Sequence, residues 1–96
     1  MVKNEVEKLI QNALAGGDFG VEEISLEHPE NVEHGDFSTN IAFQAAKKMQ
    51  KSPDAIAQEI VSLLEKQNSP LIERIEAVSG FVNLYLKESV LIEALS

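Results

Sequence analysis

No cysteine occurs in the 96 residues. Disulfides, thiolate zinc sites and cysteine nucleophiles are therefore excluded, and nothing in the chain points to an oxidising compartment. Basic residues are scarce, eight against sixteen acidic ones, for a net charge of −8. Phosphate contact needs Lys and Arg and usually supplies much of the affinity for nucleic acid. This balance argues against a free-standing RNA binder, whereas a module tethered to a larger RNA-binding enzyme escapes the requirement. No apolar run reaches the roughly 18 residues of a spanning helix, and Met1-Val2-Lys3-Asn4-Glu5 lacks the apolar stretch of a signal peptide. The expectation is a soluble, cytoplasmic protein with no membrane partner. Internal repeats and low-complexity tracts are missing as well.

What is present suits one compact domain. At 44% hydrophobic residues the chain can build a core, a modest one because small domains bury a smaller share of their surface. Val6, Leu9, Ile10, Ala13 and Leu14 recur at helical spacing and predict an amphipathic helix over Val2 to Ala15, ended by Gly16-Gly17. Glu22 to His28 alternates, with Ile24 and Leu26 on one side, which predicts a half-buried strand stopped by Pro29. His34-Gly35-Asp36-Phe37 reads as a turn into a short second strand. Ala42, Ala45, Ala46 and Met49 then form a helical stripe flanked by Ile41 and Phe43, with Ser38 or Thr39 placed to cap it. Ser52-Pro53-Asp54 is a second helix start, combining a capping hydroxyl, Pro at the first position and an acid at the positive end. Leu71 to Val78 and Phe81 to Leu86, joined by Ser79-Gly80, predict an antiparallel hairpin. Val90, Leu91 and Ala94 open a last helix that stops within two turns.

The resulting order, α-β-β-α-α-β-β-α, predicts an α+β two-layer sandwich: a four-stranded antiparallel sheet with helices on one face and the other face open. Residues 1–87 form the domain, and 88–96 read as the start of a linker helix towards an absent neighbour.

The second hairpin strand is the most informative segment. Val82, Leu84 and Leu86 are uniformly aliphatic and belong to the core, so Phe81, Asn83 and Tyr85 fall on the open face. Aromatic rings there would stack unpaired bases, and an amide both donates to and accepts from a base edge. Burial of the two rings under the terminal helix or a neighbouring domain is the other reading. Lys47, Lys48 and Lys51 cluster at the end of a helix, either to meet phosphate or to sit favourably at the negative helix end. No metal site is expected. His28 and His34 have no HExxH pattern and no companion at helical spacing, and are assigned to a strand end and a turn. Gly16, Gly17 and Gly20 precede a strand, whereas a phosphate-cradling loop leads into a helix.

The segment His34-Gly35-Asp36-Phe37-Ser38-Thr39-Asn40-Ile41-Ala42 resembles the H/F-G-D-(Y/F)-(A/S)-(T/S)-N-x-A signature near the start of arginyl-tRNA synthetases. Ala46-Lys47-Lys48, Ser52-Pro53 and Ala55-Ile56-Ala57-Gln58-Glu59-Ile60 are similar to the family's next element, and Ser79-Gly80-Phe81-Val82-Asn83-Leu84 to its G-F-(I/V)-N element. The resemblance, covering roughly Pro29 to Leu95, implies the N-terminal additional domain of such an enzyme, one that contacts the D loop of arginine tRNA. It implies a parent that joins arginine to tRNA using ATP, with magnesium, while this fragment alone has no catalytic residue and no cofactor. The HIGH-like and KMSK-like motifs of the catalytic domain do not occur here, and Lys48-Met49-Gln50-Lys51 only echoes the latter. The implied tRNA-binding residues are Phe81 and Asn83, to which the residue pattern adds Tyr85, Lys47, Lys48 and Lys51. A third family contact position falls near Val78, where this chain is apolar. The Gly35-Asp36 turn is read as architectural, its Asp capping or bracing the following helix. The implied partners are tRNA and the remaining domains of a monomeric synthetase. An acidic protein–protein module using the open face is the competing class: a basic rim around Phe81 favours RNA, and an acidic or apolar one favours the adaptor.

Overall fold

The computed structural model describes residues 2–15, 17, 19–21, 23–29 and 35–90. Helix α1, Val2–Ala15, is followed by strand β1, Phe37–Thr39, then helices α2, Ile41–Met49, and α3, Pro53–Lys66. Strands β2, Ile72–Val78, and β3, Phe81–Leu86, form a hairpin. Together the strands make an antiparallel sheet in the order β1-β3-β2, with β3 at the centre.

Local chemistry accounts for these boundaries. Ser52 Oγ accepts from the Ala55 amide at 3.2 Å and Pro53 opens α3, the expected cap. In α2 the cap is Asn40, where Ser38 or Thr39 was anticipated. Thr39 Oγ1 accepts from the Ile41 amide at 3.4 Å, while the Ser38 hydroxyl turns to the sheet instead. At the far end of α2, Gln50 adopts a left-handed conformation and donates its amide to the Ala46 carbonyl. The hairpin turns on Ser79 and Gly80, with φ of 50° and 85°, the pair of positive values that a two-residue turn matched to strand twist requires.

The helices cover one face of the sheet: α3 packs on β2 and β3, α2 on β3, and α1 on α3. Val6, Ile10 and Ala13 of α1, Ile41, Ala42 and Ala45 of α2, and Ile56, Ala57, Ile60 and Leu64 of α3 meet Phe37, Val82, Leu84 and Leu86 in a single core. Gln67 Nε2 donates to the Leu9 carbonyl at 2.7 Å and ties α1 to the end of α3.

Among the described residues three strands stand where four were expected. Between residues 23 and 29 the predicted alternation of burial is real, with Ile24 half-buried, Leu26 buried and Glu23, Ser25 and Glu27 exposed. Only Glu27 pairs, exchanging backbone hydrogen bonds of 2.8 and 2.9 Å with Ser38. β1 gives the reason: of its three residues, which pair with β3 along one edge, only Ser38 turns its backbone groups to the other edge, and one such residue makes a bridge and no ladder. Alternation reports which side chains are covered, and it says nothing about how many backbone groups a partner offers. The final helix shows its first turn at 88–90, and the rest of that expectation lies outside the described residues.

The Gly35-Asp36 turn braces a strand and not the following helix. Gly35 has φ of +93°, and a Cβ there would lie 2.7 Å from the Leu84 carbonyl oxygen. Asp36 Oδ2 accepts from the Leu86 amide at 2.8 Å, and the Asp36 amide donates to the Leu84 carbonyl at 2.9 Å. Gly35→Ala should therefore destabilise the fold by more than about 1 kcal/mol. Asp36→Ala should lower stability by about 1–3 kcal/mol, because the Leu86 N–H loses its acceptor. Urea unfolding of the two variants checks both values, and wild-type midpoints would refute the brace.

Candidate nucleic-acid interface

Register decides what the outer face carries. Val82, Leu84 and Leu86 are buried as expected, so the intervening side chains of β3 point away from the helices. Cross-strand pairing then assembles three rows: Val78 beside Phe81, Glu76 beside Asn83 and Ser38, and Arg74 beside Tyr85.

The first row is open. Phe81 is 43% exposed and Val78 42%. At this end of the sheet Phe43 of α2, 36% exposed, meets Phe81 edge-on with ring centroids 5.2 Å apart. Gly80 lies beneath: a Cβ on it would come within 2.7 Å of the Phe43 ring and 3.1 Å of Pro53. A bulkier turn residue would displace the aromatic pair.

The second row corrects an expectation. Asn83 is only 3% exposed, although it sits on the outer face. It belongs to the central strand, and its short side chain sinks between neighbours on both sides. Its Oδ1 accepts from Ser38 Oγ at 2.9 Å. A groove of about 410 Å³ runs past it, lined by Glu27, Pro29, Ser38, Val78, Ser79, Phe81 and Asn83. The amide is thus recessed at the floor, with Phe81 as one wall.

In the third row Tyr85 is half-buried, and one face of its ring is covered. The Arg74 guanidinium carbon lies 4.0 Å from its ring centroid. The Tyr85 hydroxyl donates to Glu76 Oε2 at 3.4 Å, and Arg74 Nε meets Glu76 Oε1 at 3.1 Å. Arg74, Glu76 and Tyr85 form one linked unit, in which the Arg74 side chain is more exposed than that of Glu76.

The lysines do not converge. All three are exposed. Lys47 follows Phe43 by four residues in α2 and shares its face. Lys48 lies over Gly20, where a Cβ would meet its Cδ at 2.5 Å. Lys51 falls beyond the end of α2. Around Phe81 the rim is apolar, with Glu27 its charged member among the groove residues. His28, expected to end a strand, follows an isolated bridge instead: Nδ1 donates to the Asp36 carbonyl at 3.1 Å, and its ring lies 4.5 Å from that of Phe37. His34 lies outside the described residues. Among the described residues no group of three metal-ligating side chains is gathered together, and no helix is long and apolar enough to cross a membrane.

Two participants escaped the sequence reading. Phe43 looked like a flank of the α2 stripe, and Ser38 like a helix cap. The period-3.6 offset of Phe43 from Ala42 and Ala45 was the available signal for the first. For the second there was none, since the Ser38–Asn83 contact joins residues 45 apart.

A helix-backed antiparallel sheet, with an exposed aromatic beside a recessed amide on its outer face, defines a small α+β domain. A family model described as the arginyl tRNA synthetase N terminal domain matches residues 2–86. The arginine–tRNA ligase of Acetivibrio thermocellus is 41% identical over 96 residues, covering 99% of this chain and 17% of that protein. That of Aliarcobacter butzleri is 40% identical over 100 residues, covering 100% and 17%. The structure of Thermus thermophilus arginyl-tRNA synthetase superposes with a TM-score of 0.83 at 31% identity, over 100% of this chain and 16% of that one. The chain belongs to the arginyl-tRNA synthetase N-terminal domain family, and it spans about a sixth of the length of these relatives.

The site makes a graded stability prediction. Leu84→Ala should cost about 2–5 kcal/mol as a core truncation, and Asn83→Ala about 0.5–1.5 kcal/mol for its hydrogen bond. Phe81→Ala should cost less than either. Chemical denaturation ranks the three, and a Phe81→Ala loss equal to that of Leu84→Ala would make the ring core.

Proposed function

We propose that this chain is the tRNA-recognition domain of an arginine–tRNA ligase, and that the outer sheet face meets the D loop of arginine tRNA. The observation that carries the reading is Phe81: a large apolar ring, 43% exposed, beside a groove with an amide at its floor. An unpaired base stacks on such a ring and meets the amide with its edge. Phe81 and Asn83 are the central contacts. Tyr85 acts through the guanidinium stacked on it, itself a surface for bases and phosphates. Lys47, Lys48 and Lys51 supply what phosphate contact the domain makes. Catalysis belongs to the remainder of a monomeric, cytoplasmic parent, which uses ATP and magnesium to charge tRNA, while this segment has no catalytic or cofactor-binding residue of its own.

A second reading has an observation in its favour. The rim around Phe81 is apolar and includes Glu27, which suits a protein partner better than RNA does. Under that reading Phe43, Phe81 and Val78 would be the contact.

Kinetics separate the two. In a full-length synthetase carrying this domain, Phe81→Ala should raise the KM for tRNA about five- to 150-fold, the worth of one stacked base at about 1–3 kcal/mol. The kcat should stay close to wild type. The isolated chain should bind tRNA weakly, with a log–log salt slope of about −2, since three lysines neutralise few phosphates. Unchanged tRNA kinetics in Phe81→Ala would favour the protein partner.

A further inference from the structure

Asn83 is an ambiguous reader unless something orients it. A primary amide carries an acceptor at one end and two donors at the other, and a half-turn about its last torsion exchanges them. Left free, it would meet a base that donates as readily as one that accepts. In this structure it is not free.

Strand geometry brings Ser38 to it. Both backbone groups of Ser38 face Glu27, the amide donating at 2.8 Å and the carbonyl accepting at 2.9 Å. Ser38 and Asn83 are also direct partners across β1 and β3. Since the N–H and C=O of a strand residue point the same way, Ser38 turns no backbone bond towards Asn83. The two form a non-hydrogen-bonded pair, the kind that holds side chains closest, with Cα atoms about 4.5 Å apart. The Ser38 hydroxyl then donates to Asn83 Oδ1 at 2.9 Å. On the opposite flank Glu76 is engaged with Arg74 and the Tyr85 hydroxyl. The amide nitrogen makes no hydrogen bond among the described residues, yet no buried polar side-chain atom there lacks a partner. It therefore reaches solvent, and the groove is the space that Asn83 lines.

We propose that Ser38 is a positioning residue: it holds the Asn83 oxygen, turns the amide nitrogen into the groove beside Phe81, and so tunes the site to an unpaired base carrying a carbonyl acceptor. The inference rests on the base-binding reading of this face. Glu27 has a part in it through its backbone, because its two hydrogen bonds set the direction in which Ser38 faces. The isolated bridge, which adds little to the sheet, thereby fixes the recognition group.

The test uses the 96-residue chain, labelled with ¹⁵N and ¹³C, and two neutral nucleosides that avoid the net charge of −8. Uridine presents two carbonyls, and 2,4-dithiouridine presents the same ring with sulfur, a poor acceptor. In the free protein, Ser38→Ala should move the Asn83 ¹³Cγ resonance upfield, as a carbonyl losing a hydrogen bond does, while Ser38→Thr should restore it. On titration the wild type should bind uridine roughly two- to twelvefold more tightly than dithiouridine, the range of one neutral hydrogen bond. The Asn83 NH₂ signals should shift with uridine. Ser38→Ala should bring that ratio close to one with backbone dispersion intact, and Ser38→Thr should recover it. If both nucleosides bind beside Phe81 but Ser38→Ala leaves the ratio or the ¹³Cγ shift unchanged, Ser38 does not orient the amide and the proposal fails alone. A preference for the thio-analogue in the wild type overturns it equally. If neither nucleoside perturbs Phe81, Val78 or Asn83, the base-binding reading falls and the proposal with it.

Discussion

Everything on the outer face depends on the register of β3. A slip of one residue would move Val82, Leu84 and Leu86 to solvent and bury Phe81 and Tyr85, and the chain fixes the register at both ends of the strand. At its start, Ser79 and Gly80 both take positive φ, so the hairpin closes in two residues with no slack. At its end, the Asp36 carboxylate takes the Leu86 amide, and Gly35 sits too close to the Leu84 carbonyl for any side chain. The two devices are separate in sequence. One comes from a local turn, while the other arrives from a loop some 50 positions earlier.

This double fixing explains why the outer face can carry groups that contribute little to stability. Phe81 and Val78 are exposed, and Arg74 and Glu76 form a surface ion pair, a kind of contact that adds about 0–1 kcal/mol. None of these need hold the fold, because core packing beneath Leu84 and the backbone ladder do so. The face is consequently free to be shaped for contact. Asn83 is the intermediate case: it is central enough to be buried, and close enough to the groove to be reached.

The sequence was most legible where one local rule governs a segment. α1 and β3 were read with their observed bounds, and the start of α3 followed from Ser52-Pro53. The inward set of β3 was read correctly from alternation alone. The failures share a cause, since each involved a partner far along the chain. Residues 23–28 have a strand's burial pattern, but only Ser38 of β1 offers them its backbone. Asp36 looked like a helix brace because helix α2 is its neighbour in sequence, whereas its partner is Leu86. Asn83 was placed on the correct face and assigned the wrong exposure. Alternation decides the side of a sheet, and the cross-strand neighbours decide how much of that side is covered.

If the outer face stacks bases as proposed, an acidic domain also makes physical sense as one part of a larger RNA-binding enzyme. Phosphate attraction is long-ranged and carries no sequence information, so it can be supplied by any domain of the assembly. Base stacking and a single oriented amide act only at contact, and they need a rigid support more than a favourable field. A surface with net positive charge here would hold any RNA segment against the sheet and blunt the discrimination proposed for Phe81 and Asn83. Mild repulsion instead leaves the contact to those ligands whose base enters the groove. The few lysines are consistent with this division, because Lys47 alone shares the Phe43 face and Lys48 points to Gly20. On this argument the charge of −8, which at first speaks against nucleic acid, is a source of selectivity once the rest of the enzyme supplies the attraction.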